Sequence, residues 1–221
     1  MGEVREMSGN WKWRKLPRLY PILDAGLLAQ RGVALEAVAG QWRAAGITLL
    51  QYRDKHSTPQ QILENAAKIR RIFAGTDCTL ILDDRADLTV LAAWDGVHVG
   101  QQDLSPEAAR RVVGPERILG FSTHNEEQVR AAELSCADYV AIGPVFATAS
   151  KESPDRVVGL EGVRRARALT TRALVAIGGI TRANCRQVLD AGADSVAVIS
   201  ELLPEDAGFS KVAEDFLAIL R

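Results

Sequence analysis

Residues 173–199 read ALVAIGGITRANCRQVLDAGADSVAVI, and the fold is decided there. Two short runs rich in Val, Ile and Ala, about 173–177 and 194–199, flank a polar stretch of helical character. Apolar residues in continuous runs suit parallel strands buried on both faces. Gly178 and Gly179 follow the first run, and Thr181 then opens a helix. The helix leaves through the small-residue turn AGAD, where glycine accepts the left-handed backbone that ends a helix. A strand, a helix and a second strand in this order make a parallel βαβ unit.

Working outward, the same alternation extends from residue 17 to the end of the chain. Further apolar runs lie at about 18–23, 47–53, 79–83, 96–99, 117–121 and 138–143, making eight in all. Helical patterns such as LEAVAGQWRAA, QQILENAAKIRRIF and EEQVRAAELS separate them. AAGITLLQ, AWDGVHV and VVGPERI are read as further small-residue exits from helix to strand. Eight such units in about 200 residues predict a single (β/α)8 TIM barrel over 17–221. The alternative, an open doubly wound sheet, would leave two exposed edges and would normally need fewer strands. Residues 1–16 are read as an N-terminal arm, with Trp11 and Trp13 docking on the barrel. The one long connection, 144–159, is of a length that is usually functional or mobile.

Composition narrows the function classes. Of 221 residues, 47% are hydrophobic and 25% charged, with a net charge of −1. That balance argues against a nucleic-acid footprint, which needs a basic excess. No run of 18 apolar residues is present, so no membrane span is expected. Cys78, Cys136 and Cys185 are odd in number and show no CxxC spacing. Packing thiols in a reducing cytoplasm are expected, rather than a zinc or redox site.

In a barrel, chemistry sits where the strands end. The second strand ends in QYRDK, and alternation sends Gln51, Arg53 and Lys55 to one side, a set suited to a polyanion. A solvated strand end is the plain alternative. The third ends in LILDDR with Asp83 and Asp84, and the fourth runs into HVGQQD with Asp103. Neighbouring carboxylates of this kind suit Mg²⁺ shared with waters and phosphate oxygens. They could equally be capping aspartates, since Asp103 lies two residues before the SPEAAR helix. The fifth ends in GFSTHN with Ser122, His124 and Asn125, the last able to cap the helix that follows. His56 and His98 have no comparable context and are left without a role. Thr148, Ser150 and Lys151, in GPVFATASK, read as a phosphate clamp on a loop or as a polar surface. Gly178–Gly179, Ile199 and Ser200 close the last two strands, the usual phosphate corner of this barrel.

Taken in order, QYRDK, DDRADL, DGVHVGQQDL, GFSTHN, GPVFATASK, VAIGGI and AVIS resemble the motifs of the thiamin-phosphate synthase family, over about residues 18–203. The resemblance implies an enzyme that joins an aminopyrimidine methyl diphosphate to a thiazole phosphate, releasing pyrophosphate. It implies that Gln51, Arg53, Lys55, Ser122 and Lys151 hold the pyrimidine diphosphate. Thr148, Ser150, Gly179, Ile199 and Ser200 would hold the thiazole phosphate, and Asp84 and Asp103 would bind Mg²⁺. Asp83 stands in the pyrimidine-diphosphate set where the family usually has Asn.

SKESPDRVVGLEGV is also similar to a sister family, the thiazole tautomerases, in which the His matched by His124 acts as acid and base. That family typically lacks the aspartate supplied by Asp103, so Asp103, Arg53 and Lys55 point to the synthase. A non-catalytic barrel binding a phosphorylated ligand is the remaining alternative. It would have no use for a leaving-group clamp.

Overall fold

The computed structural model describes residues 16–148, 156–205 and 208–221. Eight parallel strands close into a barrel in sequential order. They are β1 (Leu19–Asp24), β2 (Leu49–Arg53), β3 (Thr79–Asp83), β4 (Gly96–Val99), β5 (Ile118–Thr123), β6 (Tyr139–Ile142), β7 (Ala173–Ile177) and β8 (Ser195–Val198). Closure is direct, with Leu19 of β1 opposite Val196 of β8. The open-sheet alternative is therefore ruled out.

The outer ring is α1 (Ala25–Arg31), α2 (Leu35–Ala44), α3 (Pro59–Ile72), α4 (Ala86–Leu91), α5 (Pro106–Val113), α6 (Glu126–Leu134), α7 (Gly159–Leu169), α8 (Cys185–Asp190) and α9 (Phe209–Ile219). Two helices follow β1, and a 3₁₀ turn (Ser200–Leu202) precedes α9. Local chemistry starts several of these helices. Thr58 and Gln61 form a reciprocal capping box on α3, and Asn125 caps α6 through Gln128 N, as its position suggested. No helix among the described residues is long and apolar enough to cross a membrane.

Strand parity divides the core in two. Leu23, Leu50, Tyr52, Leu82, Val140, Leu174, Val196 and their neighbours pack outward beneath the helices. Tyr20, Ile22, Leu49, Ile81, Tyr139, Ala141, Val175 and Ala197 fill the barrel interior. The inward series continues upward to Asp24, Arg53, Asp83 and Ser122 at the mouth.

At the opposite end, one device occurs three times. Asp95, Asp138 and Asp194 each precede the second strand of a pair. Their carboxylates accept from Leu80 N (2.9 Å), Leu119 N (2.7 Å) and Leu174 N (2.8 Å). Their own amides return a bond to the carbonyl of the same residue, at 3.1, 2.7 and 2.8 Å. Each aspartate thus satisfies both backbone groups near the start of the preceding strand. Arg110 and Arg167 brace the last two aspartates at 2.5 and 2.9 Å.

Two details depart from the sequence reading. Gly96 does not end a helix. It lies in β4, where a Cβ would meet Ile118 O and Ile81 Cδ1, and Ala93 takes the left-handed position after α4 (φ 52°). Thr181 does not open α8 directly. It starts a turn in which Asn184 Oδ1 accepts from Thr181 N at 2.8 Å, and the helix proper begins at Cys185. Cys78 and Cys185 are buried and Cys136 half-buried, all three as free thiols. Residues 1–15, with Trp11 and Trp13, lie outside the described residues.

Candidate active site

The ends of β2 and β3 carry a compact charged cluster. Gln51 is almost fully buried inside the barrel, where its Nε2 donates to Asp83 Oδ1 at 2.6 Å. Arg53 pairs with Asp24 at the end of β1 and approaches Asp83 with Nε at 3.4 Å. Lys55 pairs with Asp84 and lies 3.7 Å from Asp83. The expected single-sidedness of Gln51, Arg53 and Lys55 holds, and Asp83 is the group they converge on.

Parity alone would send Asp84 away from Asp83. The backbone at Asp84 prevents this by turning left-handed (φ 60°), an uncommon state for a non-glycine residue. The Asp84 amide donates to His98 O at 2.7 Å, which anchors the turn to β4. Asp103 is set in the next loop by Gly100 N, which donates to its Oδ2 at 2.7 Å. Asp84 and Asp103 stand near enough for their carboxyl groups to share a hydrogen bond.

Three carboxyl groups now face two cations, and their proton affinities respond. Burial, then the neighbouring Asp84 charge, push Asp83 up to about 7 against the opposing pull of Lys55 and Arg53. Asp84 is raised too, by burial and by Asp103, with Lys55 opposing. Lys55 is itself raised: burial lowers it, but the combined carboxylates outweigh burial. Among the described residues, the carboxyl groups of this cluster outnumber its cations. Among the described residues no group of three His, Cys, Asp or Glu is arranged to hold a metal alone. A cation bound here would need ligands from a substrate or from water, as suits Mg²⁺.

Ser122, next to last in β5, lies on the inward side, with Oγ 2.8 Å from His98 Nε2 and its carbonyl accepting from Gln101 at 2.6 Å. His98, which the sequence left without a role, is buried within the barrel. Inward parity in β4 is the signal that could have found it, and the same parity marks Asp24 in β1. His124 turns toward β6, its Nδ1 2.7 Å from Gly143 O.

The far side of the mouth is formed by the ends of β6, β7 and β8. Ile177 pairs with Ala197, so Gly179 and Ile199 continue neighbouring strands. Gly178 and Gly179 have φ of 104° and 62°. A Cβ on Gly178 would strike Pro144 at 2.5 Å, and one on Gly179 would strike Ala147 O at 2.6 Å. The glycines thus admit the 144–147 segment, which returns bonds from Val145 N to Ile177 O and Phe146 N to Gly178 O at 2.9 and 3.0 Å. Thr148 follows on that segment, half-buried, and Ser200 is exposed. The long loop is pinched at its base by Val158 N to Pro144 O and Gly159 N to Val145 O. Ser150 and Lys151 lie outside the described residues.

A cleft of about 310 Å³ lined by Arg18, Arg186, Asp190 and Asp194 opens where the strands begin, and it contains none of these groups.

Residues 19–202 match the family model described as thiamine monophosphate synthase. A thiamine-phosphate synthase of Koribacter versatilis is 53% identical over 208 residues, covering 93% of this chain and 97% of that protein. One from Chloroflexus aurantiacus is 40% identical over 189 residues, covering 86% of each. The solved thiamine phosphate pyrophosphorylase from Pyrococcus furiosus superposes with a TM-score of 0.80 at 32% identity, covering 92% of this chain and 95% of that one.

Proposed function

The chain belongs to the thiamine monophosphate synthase family, and we propose that it divides the work of its reaction between the two halves of the barrel mouth. It is a transferase that couples 4-amino-2-methyl-5-(diphosphooxymethyl)pyrimidine to a thiazole phosphate, giving thiamin phosphate and pyrophosphate. In our reading Gln51, Arg53, Lys55, Asp83, Ser122 and Lys151 hold the pyrimidine diphosphate. Thr148, Ser150, Gly179, Ile199 and Ser200 hold the thiazole phosphate. Both substrates are small phosphorylated molecules, and a cytoplasmic setting fits the three free thiols.

The chemistry sets the demands. The bond from the pyrimidine methylene carbon to the diphosphate oxygen breaks, and its electron pair leaves with pyrophosphate. The thiazole nitrogen then donates its lone pair to the methylene carbon. That nitrogen carries no proton, so no general base is required. The barrier lies in the growing charge on the leaving diphosphate. Arg53, Lys55 and Lys151 are assigned to neutralise it, the first two already positioned before reaction by their carboxylate partners. Both partners held in one mouth avoid the entropy cost of meeting, and the 144–159 loop is assigned to keep water from the methylene cation.

The observation that carries this reading is the surplus of carboxylate at the mouth. Among the described residues, Asp83, Asp84 and Asp103 outnumber Arg53 and Lys55, and burial and crowding raise the first two. A diphosphate added to that cluster would be repelled unless a divalent cation came with it. Asp84 and Asp103 are the residues assigned to hold Mg²⁺, which supplies charge neutralisation to the diphosphate when bound. The test is to mix both precursors with Mg²⁺ and assay pyrophosphate and thiamin phosphate together. Equimolar appearance of both is expected. Isomerisation of the thiazole phosphate without pyrophosphate release, lost on His124→Ala alone, would replace this reading with the tautomerase one.

A further inference from the structure

Behind Ser122 the barrel interior holds a connected set of polar groups, Tyr20, Tyr139 and His98, that the reaction as described does not use. Tyr20 Oη lies 2.9 Å from Tyr139 Oη, Tyr139 Oη 2.9 Å from His98 Nδ1, and His98 Nε2 2.8 Å from Ser122 Oγ. Four residues from β1, β6, β4 and β5 thus form one hydrogen-bonded line from the barrel core to the mouth. Both phenols are essentially buried. Burial raises both, helped at Tyr20 by the contact with Tyr139 and opposed at Tyr139 by the bond from Tyr20, so each keeps its proton. The His98 and Tyr139 rings are stacked, with centroids 5.5 Å apart.

The neighbouring glycine is matched to this line. A Cβ on Gly120 would overlap Tyr139 Cζ, Tyr139 Oη and His98 Nδ1. The Gly of GFSTHN therefore leaves room for the bond between Tyr139 and His98.

The direction of the line follows from its buried end. Among the described residues, Tyr20 Oη has one hydrogen-bond partner, Tyr139 Oη. A buried hydroxyl hydrogen without an acceptor is costly, whereas an oxygen with a spare lone pair is tolerated. Tyr20 therefore donates to Tyr139. Tyr139 must then donate to His98 Nδ1, which leaves His98 its proton on Nε2. That proton goes to Ser122 Oγ, and the serine is left with its own hydrogen to offer outward.

We propose that Tyr20, Tyr139 and His98 form a one-way hydrogen-bond line that fixes Ser122 as a donor toward the diphosphate, with His98 and Tyr139 as positioning residues. This rests on the assignment of Ser122 to the diphosphate. Run the other way, the line would take the serine hydrogen for His98 and turn lone pairs toward an anion.

Three measurements on the whole chain test it. Two-bond ¹H–¹⁵N correlation of the His98 ring should show a protonated Nε2 and a bare Nδ1. Tyr139→Phe removes one hydroxyl from a buried ring. It should blur that tautomer preference and lower kcat about tenfold, the scale of one hydrogen bond, with KM for the thiazole phosphate unchanged. In a Ser122→Ala background the same substitution should cost nothing further, a fully non-additive cycle. If Tyr139→Phe folds poorly, Tyr20→Phe replaces it, with the same tautomer shift and about a threefold loss. A bare Nε2 in the unsubstituted chain, or an additive cycle, overturns the proposal alone. Wild-type turnover by Ser122→Ala overturns the assignment of Ser122 and the proposal with it.

Discussion

Gln51 and Asp83, on neighbouring strands and 32 residues apart, are joined by a 2.6 Å hydrogen bond inside the barrel mouth. The bond holds a carboxyl group at the focus of Arg53, Lys55 and Asp84. An Asn at 83 could accept from Gln51 equally well, so the consequence of this aspartate is its charge.

That charge makes stability depend on pH in a defined direction. Asp83 is raised from the ordinary carboxyl value to about 7, so between roughly pH 4 and 7 the folded chain holds a proton that the unfolded chain has lost. This contribution is complete below the unfolded value and disappears as pH rises through 7. Asp83→Asn should flatten the window and stabilise the metal-free chain at pH 8 by on the order of 1–3 kcal/mol. Urea unfolding at pH 5 and pH 8 in chelator reads the effect. Activity with Mg²⁺ should change little, and severe loss would make Asp83 an essential contact.

Asp103→Asn keeps an oxygen for Gly100 N but removes a charge from the pair assigned to Mg²⁺. Turnover should fall at least about tenfold, while stability moves by less than about 0.5 kcal/mol, as for other surface changes. Excess chelator should abolish turnover of the unsubstituted chain. Full activity in chelator would remove the metal from the mechanism.

Arg53→Ala and Lys151→Ala should each lower turnover by about a hundredfold or more, the scale of losing one donor to developing charge. Arg53→Ala should also destabilise, because Asp24 and Asp83 lose their shared partner. Arg53→Lys should recover stability more than rate, since an ammonium cannot reproduce the guanidinium fork. His124→Ala should reduce the rate without abolishing it. Steady-state kinetics with both precursors distinguish these outcomes.

Asp138→Ala should cost about 2–4 kcal/mol, because it strips Leu119 N and Arg110 of a shared, mostly buried partner. The effect belongs to the fold, at the end of the barrel remote from the mouth. Activity per folded molecule should be unchanged, and a specific loss of kcat would show that the far end of the barrel communicates with the mouth.

The sequence by itself determined the eight strands, the closed barrel and the inward side of Gln51 and Arg53. Apolar runs and a period of two are local properties, legible without knowing what each strand lies against. The ordered motifs likewise led to the family that the comparisons bear out. The tertiary structure alone decided which charges meet. Arg53 with Asp24, Gln51 with Asp83 and His98 with Tyr139 join residues 29, 32 and 41 positions apart, and such contacts depend on strand register. The left-handed turn at Asp84 is of the same kind, since a carbonyl from β4 holds it and nothing in Asp84's own neighbours requires it. His98 had no role in the sequence because the side chains it bonds, Tyr139 and Ser122, come from two other strands, which only the closed barrel brings to one axis.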